Sequence, residues 1–193
     1  RREQGFDLVA LAGYTNAGKS TLLNCLTGSE VRVQDQPFTT LSPTTRALDV
    51  LGRRVLLTDT VGFIDDLPHF LIKAFRSTLS EISEADLVLL VADISDPIDL
   101  LRRKLIASHK ALWDCNVASP IITVLNKADR LNEREAALKA EMVRDLTPYP
   151  ILASAVTGQG MGLLEESLSQ HLQPISEHEI RLPYTSQGLS QLS

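Results

Sequence analysis

Eight residues near the start of the chain constrain its fold more than any other segment. They follow the apolar run 8–12, precede a helical pattern that begins at Thr21, and read Gly13-Tyr14-Thr15-Asn16-Ala17-Gly18-Lys19-Ser20. A strand, a glycine-containing loop and a helix in this order are the context that a phosphate-binding loop requires. The backbone N–H groups of such a loop face an anion. Lys19 is placed to reach the β- and γ-phosphates, and Ser20 to bind Mg²⁺. We therefore predict a nucleoside triphosphate site formed by residues 13–21.

The size and charge of the chain narrow the class of protein. Its 193 residues fit one domain, which we place at residues 1–172, with 173–193 as a tail or linker. The longest apolar run, 87–92, is too short to cross a bilayer, and no signal peptide is visible, so we expect a cytoplasmic protein without a membrane span. The net charge of −5 argues against nucleic-acid binding through bulk charge. Binding to an RNA-containing partner through another region stays open.

Apolar runs alternate with helical patterns along the chain, which predicts an α/β fold with a mostly parallel sheet. The predicted strands are 8–12, 46–50, 55–59, 87–93, 120–126 and 151–154. The predicted helices are 19–27, 70–82, 98–113, 132–146 and 163–172. A hairpin at residues 51–54 makes one strand antiparallel at a sheet edge, and helices cover both faces. We expect Trp113 in the core, and Cys25 and Cys115 as small buried hydrophobic residues.

Two further motifs stand at predicted strand ends. In Asp59-Thr60-Val61-Gly62, the carboxylate of Asp59 is suited to a Mg²⁺-bound water, and the Gly62 N–H to the γ-phosphate. In Asn126-Lys127-Ala128-Asp129, the ionised Asp129 accepts hydrogen bonds only, which matches the paired N1–H and 2-amino donors of guanine. Asn126 would brace the loop, and the aliphatic part of Lys127 would lie over the base.

A weaker signal, Ser154-Ala155, also follows a predicted strand, and its backbone N–H groups are suited to guanine O6. All four motifs fall in order at the carboxyl ends of strands, which is the edge where open α/β sheets bind ligands. At this point the chain resembles the P-loop GTPases over residues 8–172, with a Ras-like G domain as the implied fold. An ATP-using P-loop enzyme is disfavoured by Asn126, Lys127 and Asp129.

The same resemblance requires a threonine from a mobile loop to complete the Mg²⁺ shell. The candidates are Thr39, Thr40, Thr44 and Thr45. We select Thr40, because Thr44 and Thr45 leave little slack before the strand at residue 46. Phe38 and Thr39 belong to the same nucleotide-binding loop. Phe63 occupies the place of the Ras-like glutamine that orients water, so we expect slow intrinsic hydrolysis, on the order of 10⁻⁴ s⁻¹.

Longer strings are similar to the HflX family of ribosome-associated GTPases. They are the segment from Gly13 to Leu22, Phe38-Thr39-Thr40-Leu41-Ser42-Pro43-Thr44-Thr45-Arg46, Asp59-Thr60-Val61-Gly62-Phe63-Ile64, Leu67-Pro68-His69-Phe70-Leu71-Ile72-Lys73-Ala74-Phe75 and Ser77-Thr78-Leu79. The resemblance implies a Mg²⁺-dependent, monomeric GTPase that binds the large ribosomal subunit and splits or rescues stalled ribosomes. The family's separate N-terminal domain is missing here, so we expect an isolated G domain.

Resemblance to translation-related GTPases also implies that Asn16 coordinates K⁺ beside the β- and γ-phosphates. An Asn that only stabilises the loop is the equal alternative. On this interpretation the catalytic groups are Lys19, Thr40, Gly62 and Asn16, and the Mg²⁺ ligands are Ser20, Thr40 and Asp59. Two functional alternatives stay open: a nucleotide-gated binding module whose hydrolysis is vestigial, and an Obg- or Era-like ribosome-assembly GTPase.

Overall fold

A six-stranded sheet forms the centre of the molecule. The computed structural model describes residues 6–28, 44–59 and 82–172. The strands are β1 (Asp7–Gly13), β2 (Thr44–Val50), β3 (Arg53–Asp59), β4 (Leu87–Asp93), β5 (Ile121–Asn126) and β6 (Ile151–Leu152). Their order in the sheet is β2-β3-β1-β4-β5-β6. Strand β2 pairs antiparallel with β3, and the other neighbours are parallel. The predicted sheet, with its antiparallel edge strand, is confirmed.

Helices cover both faces of this sheet, as predicted. They are α1 (Lys19–Thr27), α2 (Ile98–Asp114), α3 (Glu133–Met142) and α4 (Met161–His171), with short 3₁₀ turns at Ala128–Arg130 and Arg144–Leu146. Alternation along β1 shows how the two faces are divided. Val9 and Leu11 pack with α1 and α4, whereas Leu8 and Ala10 pack on the side of α2. Residues 8–12 of β1 are all apolar because both faces of this part of the strand are covered.

Local sequence signals account for several helix ends. Asn132 accepts a hydrogen bond from the Glu135 N–H at 2.9 Å, and the Glu135 carboxylate accepts one from the Asn132 N–H at 3.3 Å. These two reciprocal bonds form a capping box. Gly28 ends α1 with a φ of 62°, as glycine does at a left-handed helix terminus. The predicted helix 132–146 is shorter, because the chain turns at the fully buried Val143 and continues as a 3₁₀ turn.

The prediction that Trp113 lies in the core is wrong. Its side chain is 82% exposed. The buried positions of α2 follow the 4-3-4 spacing of Leu101, Leu105, Ser108 and Leu112. Trp113 comes one residue after the last of them, and one residue is a rotation of about 100° around the helix axis, off the buried face. Cys25 and Cys115 are only half-buried, so that prediction holds in part.

The predicted helix 70–82 lies outside the described residues apart from Ile82, which is fully buried. The tail 173–193 lies outside them as well. Among the helices that are described, none is both long and apolar enough to cross a bilayer.

Candidate functional site

The predicted site residues gather at one edge of the sheet. Gly13, Asp59, Asp93 and Asn126 end β1, β3, β4 and β5. In the sheet register Leu11 lies opposite Asp59, and Asp93 lies opposite Asn126. Ser154 follows β6 by two residues. Parallel strands bring their carboxyl ends to the same edge, so residues as far apart in sequence as 13 and 154 border one site.

The two glycines of the phosphate-binding loop are required by close packing. Gly13 has a φ of 143°, and a Cβ there would lie 2.2 Å from the carbonyl oxygen of Val91 on β4. Gly18 has a φ of 94°, and its Cβ would lie 2.3 Å from Nδ2 of Asn126. Both positions therefore exclude a side chain for conformational and for steric reasons. Contact with β4 and with Asn126 therefore imposes glycine at these positions, in addition to the room that a bound phosphate needs.

Lys19 is the first residue of α1 and is buried, with 7% of its surface exposed. Its Nζ donates hydrogen bonds to the carbonyl oxygens of Gly13 at 3.1 Å and Tyr14 at 3.0 Å. Burial lowers the pKa of Lys19 to about 8, although the charge of Asp59 acts in the opposite direction. The amine is thus held inside the loop in an environment that disfavours its charge.

Ser20 and Asp59 form the second contact between α1 and the sheet edge. The Ser20 hydroxyl donates to Oδ2 of Asp59 at 2.6 Å. Burial raises the pKa of Asp59, and the Ser20 hydrogen bond and the Lys19 charge offset part of that rise. Within the described part of the chain, the buried Oδ1 of Asp59 has no hydrogen-bond partner. A buried carboxylate oxygen that lacks a partner, beside a serine hydroxyl, fits a hydrated Mg²⁺, which prefers oxygen ligands and retains water.

Asn126 joins three segments of the site. Its Nδ2 donates to the carbonyl oxygen of Ala17 at 2.9 Å, and its Oδ1 accepts from the Ala155 N–H at 3.0 Å. Asn126 is 2% exposed. The side chain therefore connects the phosphate-binding loop to the residues after β6, in the manner expected of a loop brace.

Lys127 reaches back across the phosphate-binding loop. It has a left-handed backbone with a φ of 64°. Its Nζ donates to the carbonyl oxygen of Asn16 at 2.6 Å and to Oδ2 of Asp93 at 2.6 Å. Asn16 is itself left-handed, with a φ of 63°, and exposed. Asn tolerates this backbone conformation better than most residues do. The conformation is therefore a structural reason for an asparagine at position 16, besides any role toward a cation.

Asp129 and Ser154 meet across the far end of the site. The Ser154 hydroxyl donates to Oδ1 of Asp129 at 2.5 Å and accepts from the Thr157 N–H at 3.1 Å. The Ser154 N–H donates to the carbonyl oxygen of Gln159 at 2.9 Å. Since the Ala155 N–H bonds Asn126, both amides that the sequence analysis assigned to guanine O6 already have partners within the protein.

Several predicted site residues lie outside the described residues. These are Phe38, Thr39, Thr40, Thr60, Val61 and Gly62. Thr44 and Thr45, the threonines that were set aside, are the first residues of β2. Asp93 was missed by the sequence analysis. Its position at the end of the buried run 87–93 was the available signal, because the other strand ends carry site residues.

Comparison with known proteins identifies the family. The family model described as "50S ribosome-binding GTPase" matches residues 8–127. The GTPase HflX of Methanocaldococcus jannaschii is 48% identical over 170 residues, which cover 86% of this chain and 42% of that protein. The chain spans 33% to 45% of the length of the curated HflX relatives compared.

Solved structures that are similar to this chain share its fold. A GTP-binding protein of Sulfolobus solfataricus, determined with GDP, is 31% identical and superposes with a TM-score of 0.71 over 88% of this chain and 53% of its own. Era of Aquifex aeolicus, at 20% identity and a TM-score of 0.71, covers 89% of this chain and 58% of its own, and shares the fold. The sheet order, the phosphate-binding loop and these similarities agree: the chain belongs to the 50S ribosome-binding GTPase family and is a G domain of the HflX type.

Proposed function

We propose that this domain binds GTP with Mg²⁺, hydrolyses it to GDP and phosphate, and acts as a cytoplasmic, monomeric switch that controls binding of its protein to the large ribosomal subunit. Ribosome splitting or rescue would be the outcome of that switch. One observation carries the proposal: Lys19, the Ser20–Asp59 pair and Asp129 converge on one sheet edge, joined by the hydrogen bonds of Asn126. The match to the 50S ribosome-binding GTPase family supports the ribosomal part.

Base recognition would rest on Asp129. Its carboxylate accepts hydrogen bonds from N1–H and the 2-amino group of guanine, and adenine offers no such pair of donors. The Ser154 hydroxyl holds Oδ1 of Asp129 and restricts the orientation of the carboxylate. Because Ala155 N–H already bonds Asn126, guanine O6 would share that donor or use the adjacent N–H of Val156.

Phosphate binding would rest on the loop amides, the N-terminus of α1 and Lys19. A nucleotide phosphate restores the charge stabilisation that Lys19 lost on burial, so nucleotide binding raises the pKa of this amine. The hydroxyl of Ser20 and Oδ1 of Asp59 are the described groups suited to Mg²⁺ and its bound water. When bound, Mg²⁺ neutralises the charge that develops on the β- and γ-phosphates during transfer to water.

Catalysis by this site would be positioning and charge stabilisation without a covalent intermediate. Phe63 stands where a water-orienting glutamine is expected, and a phenyl ring cannot hydrogen-bond water. We therefore propose that a partner or the backbone, including Gly62, orients the water and that unassisted turnover is slow. A fast unassisted turnover would contradict this part, and turnover too slow to measure under every condition would favour the nucleotide-gated binding module.

Thr40→Ala is expected to lower Mg²⁺-dependent GTP hydrolysis by about 10², because one ligand of the metal and one contact to the γ-phosphate would be lost. Affinity for GDP should stay unchanged, since on this proposal Thr40 would contact the nucleotide site only when the γ-phosphate is present. Thr45→Ala is the matched control, because the Thr45 hydroxyl contacts Thr58 Oγ1 at 3.3 Å from within β2. Single-turnover hydrolysis of all three proteins makes the comparison. Wild-type activity in Thr40→Ala would show that Thr40 was wrongly assigned.

Replacing Na⁺ by K⁺ at equal ionic strength is expected to accelerate hydrolysis, because K⁺ held by Asn16 would stabilise charge between the β- and γ-phosphates. Asn16→Gly should remove the rate difference between the two salts, since glycine can keep the left-handed backbone but has no side-chain amide. The measurement is the single-turnover rate in each salt. Equal wild-type rates in the two salts would leave Asn16 with its structural role alone.

The function as a whole is tested by single-turnover GTP hydrolysis with and without purified large ribosomal subunits, for this domain and for its full-length protein. Strong stimulation of the full-length protein is expected. Stimulation only by assembly intermediates would favour the Obg- or Era-like alternative. If neither protein responded, a guanine-nucleotide switch with another partner would remain, and the ribosomal proposal would be withdrawn.

A further inference from the structure

Asp93 ends β4 at the same edge as the site, although no signature motif includes it. It is 8% exposed. Its two carboxylate oxygens have different partners. Oδ2 accepts from Lys127 Nζ at 2.6 Å, and Oδ1 accepts from the Ser95 N–H at 2.9 Å and from the Ser95 hydroxyl. A buried carboxylate with partners on both oxygens has one fixed orientation.

The other contact of Lys127 Nζ is the carbonyl oxygen of Asn16 in the phosphate-binding loop. Two acceptors, one from β4 and one from the loop, therefore hold the end of a long side chain. A free lysine carries roughly 2 kcal/mol of rotamer entropy, which would have to be lost on nucleotide binding. Lys127 also lies near Gly18: a Cβ added to Gly18 would be 3.8 Å from Lys127 Cε. The aliphatic part of Lys127 is thus fixed along the loop before any nucleotide arrives.

The segment that carries Asp93 is itself anchored. Lys139 on α3 donates to the carbonyl oxygens of Ile94 at 3.1 Å and Asp96 at 2.7 Å. Burial raises the pKa of Asp93, but the hydrogen bonds from Lys127 and Ser95 and the Lys127 charge outweigh it, so the pKa lies below its usual value. The carboxyl is therefore ionised at neutral pH and pairs with Lys127 as an anion.

We infer that Asp93 is a positioning residue for guanine-nucleotide retention: it holds Lys127 across the phosphate-binding loop so that the aliphatic part of the lysine is preformed as a surface for the base. This inference rests on the proposed function. It assigns Asp93 no contact with nucleotide and no part in the chemical step. Its effect falls on how long a nucleotide stays bound, because preorganisation lowers the ordering cost of the bound state.

The test is a double-mutant cycle on the dissociation rate of fluorescent GDP, with Asp93→Asn and Lys127→Met as the single variants. Asp93→Asn keeps an acceptor for Ser95 and removes the charge. We expect it to accelerate dissociation about tenfold, which corresponds to about 1.4 kcal/mol. In the Lys127→Met background the same change should have almost no further effect, because the side chain that Asp93 positions is gone. Single-turnover hydrolysis of bound GTP, measured in parallel, should change less than dissociation does in Asp93→Asn, because the effect falls on the lysine that lies over the base.

Asp96→Asn is the matched control. Asp96 lies three residues further on and has a similarly buried side chain. Among the described residues, its carboxylate pairs with Lys104 at 2.7 Å and not with Lys127. Dissociation should be unchanged in this variant. Equal effects of Asp93→Asn with and without Lys127, or an equal effect of Asp96→Asn, would overturn the inference. Failure of the wild-type domain to bind GDP would instead refute the proposed function.

Discussion

Asp129→Asn is expected to change the base that the domain prefers from guanine to xanthine. In the proposed site the carboxylate would accept hydrogen bonds from N1–H and the 2-amino group of guanine, whereas the asparagine amide offers a donor in place of one acceptor. Xanthine carries a carbonyl where guanine carries the 2-amino group, so it supplies the matching acceptor. Sites built on such pairs discriminate by roughly 10⁴-fold, because a mismatch leaves buried polar groups without partners.

Competition of GDP and XDP against a labelled nucleotide measures this change directly. Ser154→Ala is the informative control, because it removes the hydroxyl that holds Asp129 Oδ1 but keeps the carboxylate. Ser154→Ala should weaken GDP binding, but guanine should stay the preferred base. If Asp129→Asn lost affinity for GDP and gained none for XDP, Asp129 would be a structural residue of the loop. Unchanged GDP affinity in Asp129→Asn would remove it from the base site altogether.

Lys19→Met is expected to lower GTP affinity by about 30-fold or more, since truncating one partner of a buried charge pair costs about 2–5 kcal/mol. The same variant should make the nucleotide-free domain more stable. The pKa of Lys19 falls from 10.5 to about 8 on folding, so at pH 7 the burial of the charged amine costs about 3 kcal/mol. Loss of the bonds to Gly13 and Tyr14 offsets part of the gain, which leaves an increase of about 1–2 kcal/mol.

The pH dependence separates this cause from general repacking. Between pH 8 and 10.5 the unfolded chain binds more protons at Lys19 than the folded domain does. The free energy of unfolding of the wild-type domain therefore rises with pH in that window. In urea unfolding, the stability advantage of Lys19→Met should therefore be largest at neutral pH, disappear near about pH 9 and be reversed near about pH 10. A difference independent of pH would mean that burial of the charge is not its origin.

Much of the site was predictable because its motifs are local in sequence. The loop 13–20, Asp59, the segment 126–129 and Ser154 each lie at or just after the end of a strand. Such strands are predicted reliably, because a strand with both faces covered is a continuous apolar run. The capping box at Asn132 and the helix end at Gly28 were predictable for the same reason. The exposure of Trp113 was not predictable. A shift of one position along a helix decides whether a side chain faces the sheet or the solvent, and the apolar character of a residue does not show which side of the helix it lies on.

The sequence by itself determined the kind of ligand. The phosphate-binding loop, Asp59, Asn126 and Asp129 follow one another in an order and at a spacing that are typical of guanine-nucleotide sites. Tertiary structure decided how those groups are held. The need for glycine at positions 13 and 18 comes from Val91 and Asn126, which are distant in sequence. The partner of Lys127 is Asp93, 34 residues away. Such contacts depend on the relative placement of β1, β4 and β5, and that placement is a property of the packed sheet, which no local pattern of residues encodes.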